Sequence, residues 1–187
     1  MTAPLPGSFG LSVIDGKAGG LVAAGQALTG DGSRYTHAFL VLDKGEIIEA
    51  MPSGARIIPL ADRIDDDGGV VFSDKPVQDW LALIEKRYPD VQHWTQHSLE
   101  ETVRGNVVEY ARSLVGTPYN FLDYVYLSLA HFKIRANWLR KRIQNQGHLI
   151  CSQLVDEVYR ANSIHLFNDG RLPMDVTPGD LDYYRNQ

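Results

Sequence analysis

Along the first 75 residues the apolar residues fall in short runs, Leu21–Ala24, Thr36–Leu42, Glu46–Ala50, Ala55–Leu60 and Gly69–Ser73, with Gly, Asp and Pro between them. Short runs rich in Val, Ile and Leu, bounded by turn formers, predict strands. Asp43-Lys44-Gly45 has the length and the glycine of a hairpin loop, and Pro52-Ser53-Gly54 starts the next reversal. The expectation is an antiparallel meander. From Pro76 the spacing turns helical. Ser73 or Asp74 is the expected N-cap, Pro76 stands near the first helical position, and Trp80, Leu81, Leu83 and Ile84 mark an apolar face. Ser98-Leu99-Glu100-Glu101 has the form of a capping box and predicts a second helix that runs to about Leu114 and stops at Gly116 and Pro118. Asn120–Phe132 and Ala136–Gln144 are expected as further helices, and Ile150–Asn162 as another, with Leu154, Val155, Val158 and Tyr159 on one side.

Strands followed by helices predict an α+β fold, an antiparallel, barrel-like meander packed against helices. A chain of 187 residues is the size of one domain, here a β-rich half over 11–75 and a helical half over 76–187. Its 44% hydrophobic and 22% charged residues exclude disordered and low-complexity classes. A net charge of -5 argues against nucleic acid as a partner. Met1–Gly10 lacks the positive and apolar regions of a secretory signal, and Tyr119–Phe132, which contains Asp123, is too short for a bilayer span. The chain is therefore expected to be soluble, either in the cytoplasm or on a particle.

Chemistry concentrates on a few side chains. Cys151 is the single cysteine, so neither an internal disulfide nor a thiolate zinc cluster is expected. It opens the apolar-periodic segment Ile150–Asn162, in what reads as the first turn of a helix. The positive end of a helix favours a thiolate and an oxyanion; a buried structural cysteine is the alternative. A nucleophilic thiol needs a base, and His37 stands at the start of a predicted strand. With the hairpin loop centred on Lys44, residue 39 faces 49 and residue 37 faces 51. Glu49 then falls diagonally across from His37 on the same face, placed to orient the ring. An ordinary surface histidine beside a solvated glutamate fits the same spacing.

These segments together resemble a known family. Tyr35-Thr36-His37-Ala38-Phe39-Leu40-Val41, Ile47-Ile48-Glu49-Ala50 and Gly54-Ala55-Arg56-Ile57-Ile58-Pro59-Leu60 look like the histidine half of the circularly permuted papain-like, NlpC-related enzymes of the YiiX type. Gly116-Thr117-Pro118-Tyr119-Asn120, Cys151-Ser152-Gln153-Leu154-Val155 and Thr177-Pro178-Gly179-Asp180-Leu181 resemble the other half, with Asn120 and Gln153 where the family usually has Asp and Glu. Gly19-Gly20 stands where it has Gly-Asp. The histidine precedes the cysteine, as in the permuted members. The resemblance implies a cysteine hydrolase with Cys151 as nucleophile, His37 as base and Glu49 as orienter. Tyr119, Tyr35 and Ser152 are then the candidate substrate contacts, and no cofactor or metal is implied.

It also implies an amide substrate such as a peptidoglycan stem peptide. A lipid or thioester acyl bond, cut or transferred, is the second expectation, because permuted relatives include acyltransferases and Asn120–Phe132 is aromatic and apolar. An idle binding module in a larger assembly, such as a phage tail, is the third.

Other motifs are weaker. His93 and His97 are spaced for one helix face but lack the Glu of a zincin and read as surface residues. Asp65-Asp66-Asp67-Gly68 fails as a calcium loop at its first and twelfth positions and reads as a charged turn. His148 is a fallback base by proximity to Cys151. Lys133, Arg135, Arg140, Lys141 and Arg142, interleaved with apolar residues across 132–142, form a basic stretch expected as a solvated face or a contact with a partner subunit, ahead of a membrane.

Overall fold

The computed structural model describes residues 3–13, 33–51, 53–64, 69–89, 93–117 and 151–187. The expected strand Leu21–Ala24, the expected helices Asn120–Phe132 and Ala136–Gln144, the charged turn 65–68, the basic stretch, Tyr119 and His148 lie outside them.

Five antiparallel strands form one sheet: β1 (Phe9–Ser12), β2 (His37–Val41), β3 (Glu46–Met51), β4 (Gly54–Pro59) and β5 (Val71–Ser73), in the order β4-β3-β2-β1-β5. Strands β1 to β4 meander as neighbours. β5 departs from the simple meander and returns to the far edge, beside β1. Four helices are described: α1 (Lys75–Arg87), α2 (His93–Ser113), α3 (Cys151–Ala161) and α4 (Pro178–Arg185). The chain is thus α+β, and among the described residues no helix is long and apolar enough to cross a membrane.

The hairpin between β2 and β3 turns through Lys44 and Gly45, both with positive φ (59° and 69°), and closes with the Leu42 N–H donating to the Glu46 carbonyl at 2.8 Å. This turn sets the register Phe39↔Glu49 that the loop arithmetic predicts. β1 was not expected from the sequence, because Phe9-Gly10-Leu11-Ser12 is short and carries a glycine. That glycine has a packing cause: a Cβ on Gly10 would lie 2.3 Å from the Phe39 ring, so only glycine lets Phe39 lie across β1.

The two faces of the sheet carry different clusters. Phe9, Leu11, Ala38, Leu40 and Ile48 meet Val77 of α1, Val103, Val107 and Ala111 of α2, and Leu154, Val155, Val158 and Tyr159 of α3 in the main core. Phe39, Val41 and Ile47 face the other way with Ile58, Leu60 and Phe72, and the Phe39 and Phe72 rings meet edge to face. Fully burying an aliphatic side chain stabilises by about 1.5–3 kcal/mol, which makes α3, with four apolar residues at or near complete burial, a firmly seated helix.

The helices agree with the sequence expectation in part. α2 begins at His93, so Ser98 sits inside the helix and forms no cap; its carbonyl accepts from the Thr102 hydroxyl at 2.7 Å. Asp74 is the N-cap residue of α1, yet its carboxylate accepts from Arg104 at 2.8 Å instead of capping the helix. Gln78 donates to the same oxygen, Oδ2, at 3.2 Å, while Oδ1 is buried without a hydrogen-bond partner among the described residues. The apolar face of α1 is narrower than expected, since Val77, Trp80 and Leu81 reach the core while Leu83 is 60% exposed. α4 was missed although its capping box is plain: the Asp180 N–H donates to the Thr177 hydroxyl at 3.0 Å, and the Thr177 N–H to the Asp180 carboxylate at 2.8 Å.

Candidate active site

The sheet end that holds His37 meets the first residue of α3. Helix α3 is strongly amphipathic, with Leu154, Val155, Val158 and Tyr159 clamped on the core, and Tyr159 donates its hydroxyl proton to the Gly7 carbonyl at 2.7 Å. Ser152 fixes the helix start by donating to the Val176 carbonyl at 2.6 Å. These anchors deliver Cys151 to the start of β2, where its side chain hydrogen-bonds with His37. Both groups are buried, at 3% and 2% exposure.

His37 Nε2 lies 2.9 Å from Glu49 Oε2. An ionised carboxylate only accepts, so Nε2 carries the proton and donates it, which leaves Nδ1 for the thiol. The Glu49 carboxylate is fully buried and saturated. Arg56 donates through Nε and Nη2 to Oε1 at 2.9 and 2.8 Å, and Arg63 donates from Nε to Oε2 and from Nη2 to Oε1, both at 2.8 Å. Burial pushes Glu49 upward, but hydrogen bonds from His37, Arg63 and Arg56 outweigh it and bring its pKa down to about 2. Glu49 is therefore charged across the physiological range.

The thiol and imidazole shift toward the ion pair. Burial opposes charge on both. For Cys151 the His37 hydrogen bond and charge, with the backbone N–H groups of Ala38 and Ser152 directed at the sulfur, lower the pKa below that of a free thiol. For His37 the bonds to Cys151 and Glu49 raise it. The α3 N-terminus adds its partial positive charge beside the sulfur.

Of the residues expected at this site, Cys151, His37 and Glu49 come together. Ser152 has its side chain fully buried and bonded to Val176, and offers the site its backbone N–H instead. Tyr35 packs in the main core at 5% exposure, its hydroxyl accepting from Arg34 at 3.2 Å. Tyr119 falls outside the described residues. His97 is an exposed residue of α2 beside Glu101 at 3.4 Å.

Arg56 and Arg63 were not anticipated. Arg56 had a signal, because it stands directly opposite Glu49 in the next hairpin and opposite charges across strands attract. Arg63 arrives from beyond the 3-10 turn Leu60–Asp62, where no spacing rule reaches. Among the described residues no group of three or more His, Cys, Asp or Glu side chains is placed to hold a metal ion. In comparisons with known proteins, no family model and no curated protein matches this chain.

Proposed function

We propose that this protein is a cysteine hydrolase or acyltransferase of the permuted papain-like kind. One observation carries the reading: a buried thiol at a helix N-terminus hydrogen-bonds an imidazole whose other nitrogen bonds a buried carboxylate at 2.9 Å. Cys151 Sγ attacks the carbonyl carbon of an amide or ester, forming a C–S bond as the C=O pair moves on to oxygen. The tetrahedral adduct collapses, and the leaving amine or alcohol takes the proton that His37 holds. Water then gives a proton to His37 and its hydroxide to the thioester carbonyl; the C–S bond breaks, releasing the acid and the resting thiolate. In an acyltransferase an acceptor alcohol or amine takes the place of that water.

The two arginines refine Glu49's part. They share its charge, so it aims the ring more than it stabilises imidazolium, which keeps His37 able to give up its proton. The family resemblance favours an amide substrate of the peptidoglycan stem-peptide type, with acyl esters second and an idle binding module third.

The test is the rate of Cys151 alkylation by iodoacetamide against pH, joined to turnover on fluorogenic stem-peptide and acyl-ester substrates. Alkylation is expected to begin below the free-thiol range near about 8.5 and to lose that low-pH limb in His37→Ala. His37→Ala is expected to abolish turnover and Glu49→Gln to lower it less. An ordinary thiol titration, unchanged by His37→Ala, returns Cys151 to a structural role.

A further inference from the structure

The β2–β3 ladder opens beside Cys151. Leu42 donates its N–H to the Glu46 carbonyl at 2.8 Å, and the register runs on through Leu40↔Ile48 to Phe39↔Glu49. In an antiparallel pair every second residue exchanges bonds with the same neighbour, so after 42 with 46 and 40 with 48 the next two are Ala38 and Ala50. Both strands continue past that point, β2 to His37 and β3 to Met51, yet the register stops short of it. The Ala38 N–H turns to the Cys151 sulfur instead.

The carbonyl left over is that of Ala50. On β4 its register partner, Ala55, turns both backbone groups away from β3: the Ala55 N–H donates to the Thr117 carbonyl at 2.9 Å, and the Ala55 carbonyl accepts from the Gly116 N–H at 2.8 Å. Opposite such a residue the backbone groups of Ala50 turn away from β4 and toward β2. The Ala50 oxygen therefore points into the opening, on the β3 side of the sulfur, and accepts from no side chain or loop among the described residues. Ala38 and Ala50 are buried, at 0% and 2% exposure. A buried carbonyl without a donor is costly, and a substrate that brings an N–H relieves the cost. In a substrate under attack by Cys151, the atom bonded to the reacting carbon beside its oxygen is the one that reaches this place.

Resting on the cysteine-hydrolase reading above, we propose that the Ala50 carbonyl receives the N–H of the scissile amide, so that the substrates are secondary amides, peptides included, in preference to esters and thioesters. Sγ bonds the carbonyl carbon, the π pair moves to oxygen, and the amide nitrogen keeps its own N–H on Ala50 while its lone pair turns toward His37. The proton from Nδ1 goes to that lone pair, the C–N bond breaks, and a primary amine leaves with the acyl group held on sulfur. An ester brings an oxygen to the same place, lone pair against lone pair, and a site built for an N–H rejects a ligand that lacks it.

Two adducts of one sulfur test the seat. Methyl isocyanate converts the Cys151 thiol to S–CO–NH–CH3, and methyl chloroformate converts it to S–CO–O–CH3 with loss of HCl; the two match in shape and differ in the N–H. Ala50-Met51 is the one Ala-Met pair in the sequence, so carbonyl-13C alanine combined with 15N methionine isolates the Ala50 carbonyl by NMR. Its 13C signal is expected to move downfield in the methylcarbamoyl enzyme and to stay in place in the methoxycarbonyl enzyme, because accepting a hydrogen bond deshields a carbonyl carbon. A shift common to both adducts, which is the effect of merely filling the site, or a shift in neither overturns the proposal. The rate of the isocyanate reaction at about pH 6, where an ordinary thiol is protonated, checks the parent reading separately, with Cys151 expected about 10-fold or more ahead of N-acetylcysteine. A thiol no faster than N-acetylcysteine removes the cysteine mechanism, and a fast thiol whose methylcarbamoyl adduct leaves Ala50 unmoved removes only the amide seat.

Discussion

Two buried carboxylates sit in different regions of this molecule and meet opposite fates. Glu49, in the middle of the sheet, accepts from His37, Arg56 and Arg63, and its pKa falls to about 2. Asp156, on α3, is 7% exposed and makes no hydrogen bond or ion pair among the described residues. Burial pushes it up to about 6, while Arg160, His165 and Arg171 pull down and Glu157 pushes up from a distance. Burial acts against charge in both places; direct donors decide the outcome. The sheet gathers three cations around one acid, whereas the cations around the helix acid act on it only at a distance, Arg171 being paired with Asp169 and Asp180 instead.

The largest expected effect comes from stripping the sheet of its anion. Glu49→Ala leaves two guanidiniums and an imidazole crowded together without their counter-charge, and denaturant unfolding should show a loss of about 3–5 kcal/mol. Retention of wild-type stability would mean that the cations find other partners, and the contrast between the two acids would collapse.

The pH dependence separates the acids by sign. Glu49's folded pKa, about 2 against an ordinary 4.5, lies below its unfolded value. Its contribution is full above the unfolded value and drains away as pH falls from about 4.5 toward 2, by about 3 kcal/mol. Asp156's folded pKa, about 6 against 3.8, lies above, so stability drops as pH rises through that window. Asp156→Asn should therefore raise stability at pH 7 by about 1–3 kcal/mol and change nothing below about pH 3.5. Melting curves across pH 3 to 8 read the effect directly, and equal shifts at both ends would show that packing, not charge, sets the gain.

The smallest effect sharpens the sheet side. Arg63 is 19% exposed and Arg56 47% at the side chain, so Arg63→Ala should cost about 1–3 kcal/mol and Arg56→Ala less than about 1. Each removes a cation near His37, so each should raise the pH at which the imidazole loses its proton, followed by NMR titration of the ring. A downward shift would show that the arginines do not compete with His37 for Glu49.

Local signals carried much of the site. The length of the Asp43–Gly45 loop and the two-residue period of strands were enough to put Glu49 diagonally across from His37, because a tight hairpin leaves little freedom of register. The core face of α3 followed from the spacing of Leu154, Val155, Val158 and Tyr159, and with it the position of Cys151 in the first helical turn. The start of α2 did not follow, since Ser98 satisfies the rule for a cap while His93–His97 satisfy the rule for a helix, and only the folded chain chooses.

What the amino-acid sequence determined by itself was therefore local: the hairpin, the amphipathic helix, the acid and the histidine on one strand pair. Tertiary structure alone decided the rest. Nothing near Gly10 predicts the Phe39 ring that excludes every side chain there, and nothing near Glu49 predicts Arg63. Nor does local sequence bring Cys151 to His37 across most of the chain; that contact comes from α3 packing on β2. Hydrophobic burial is non-directional, and the register of one element on another is set by the summed fit of many side chains. Charge followed the same division. The residue type makes Glu49 and Asp156 acids, and the groups that packing brings to each set one near 2 and the other near 6.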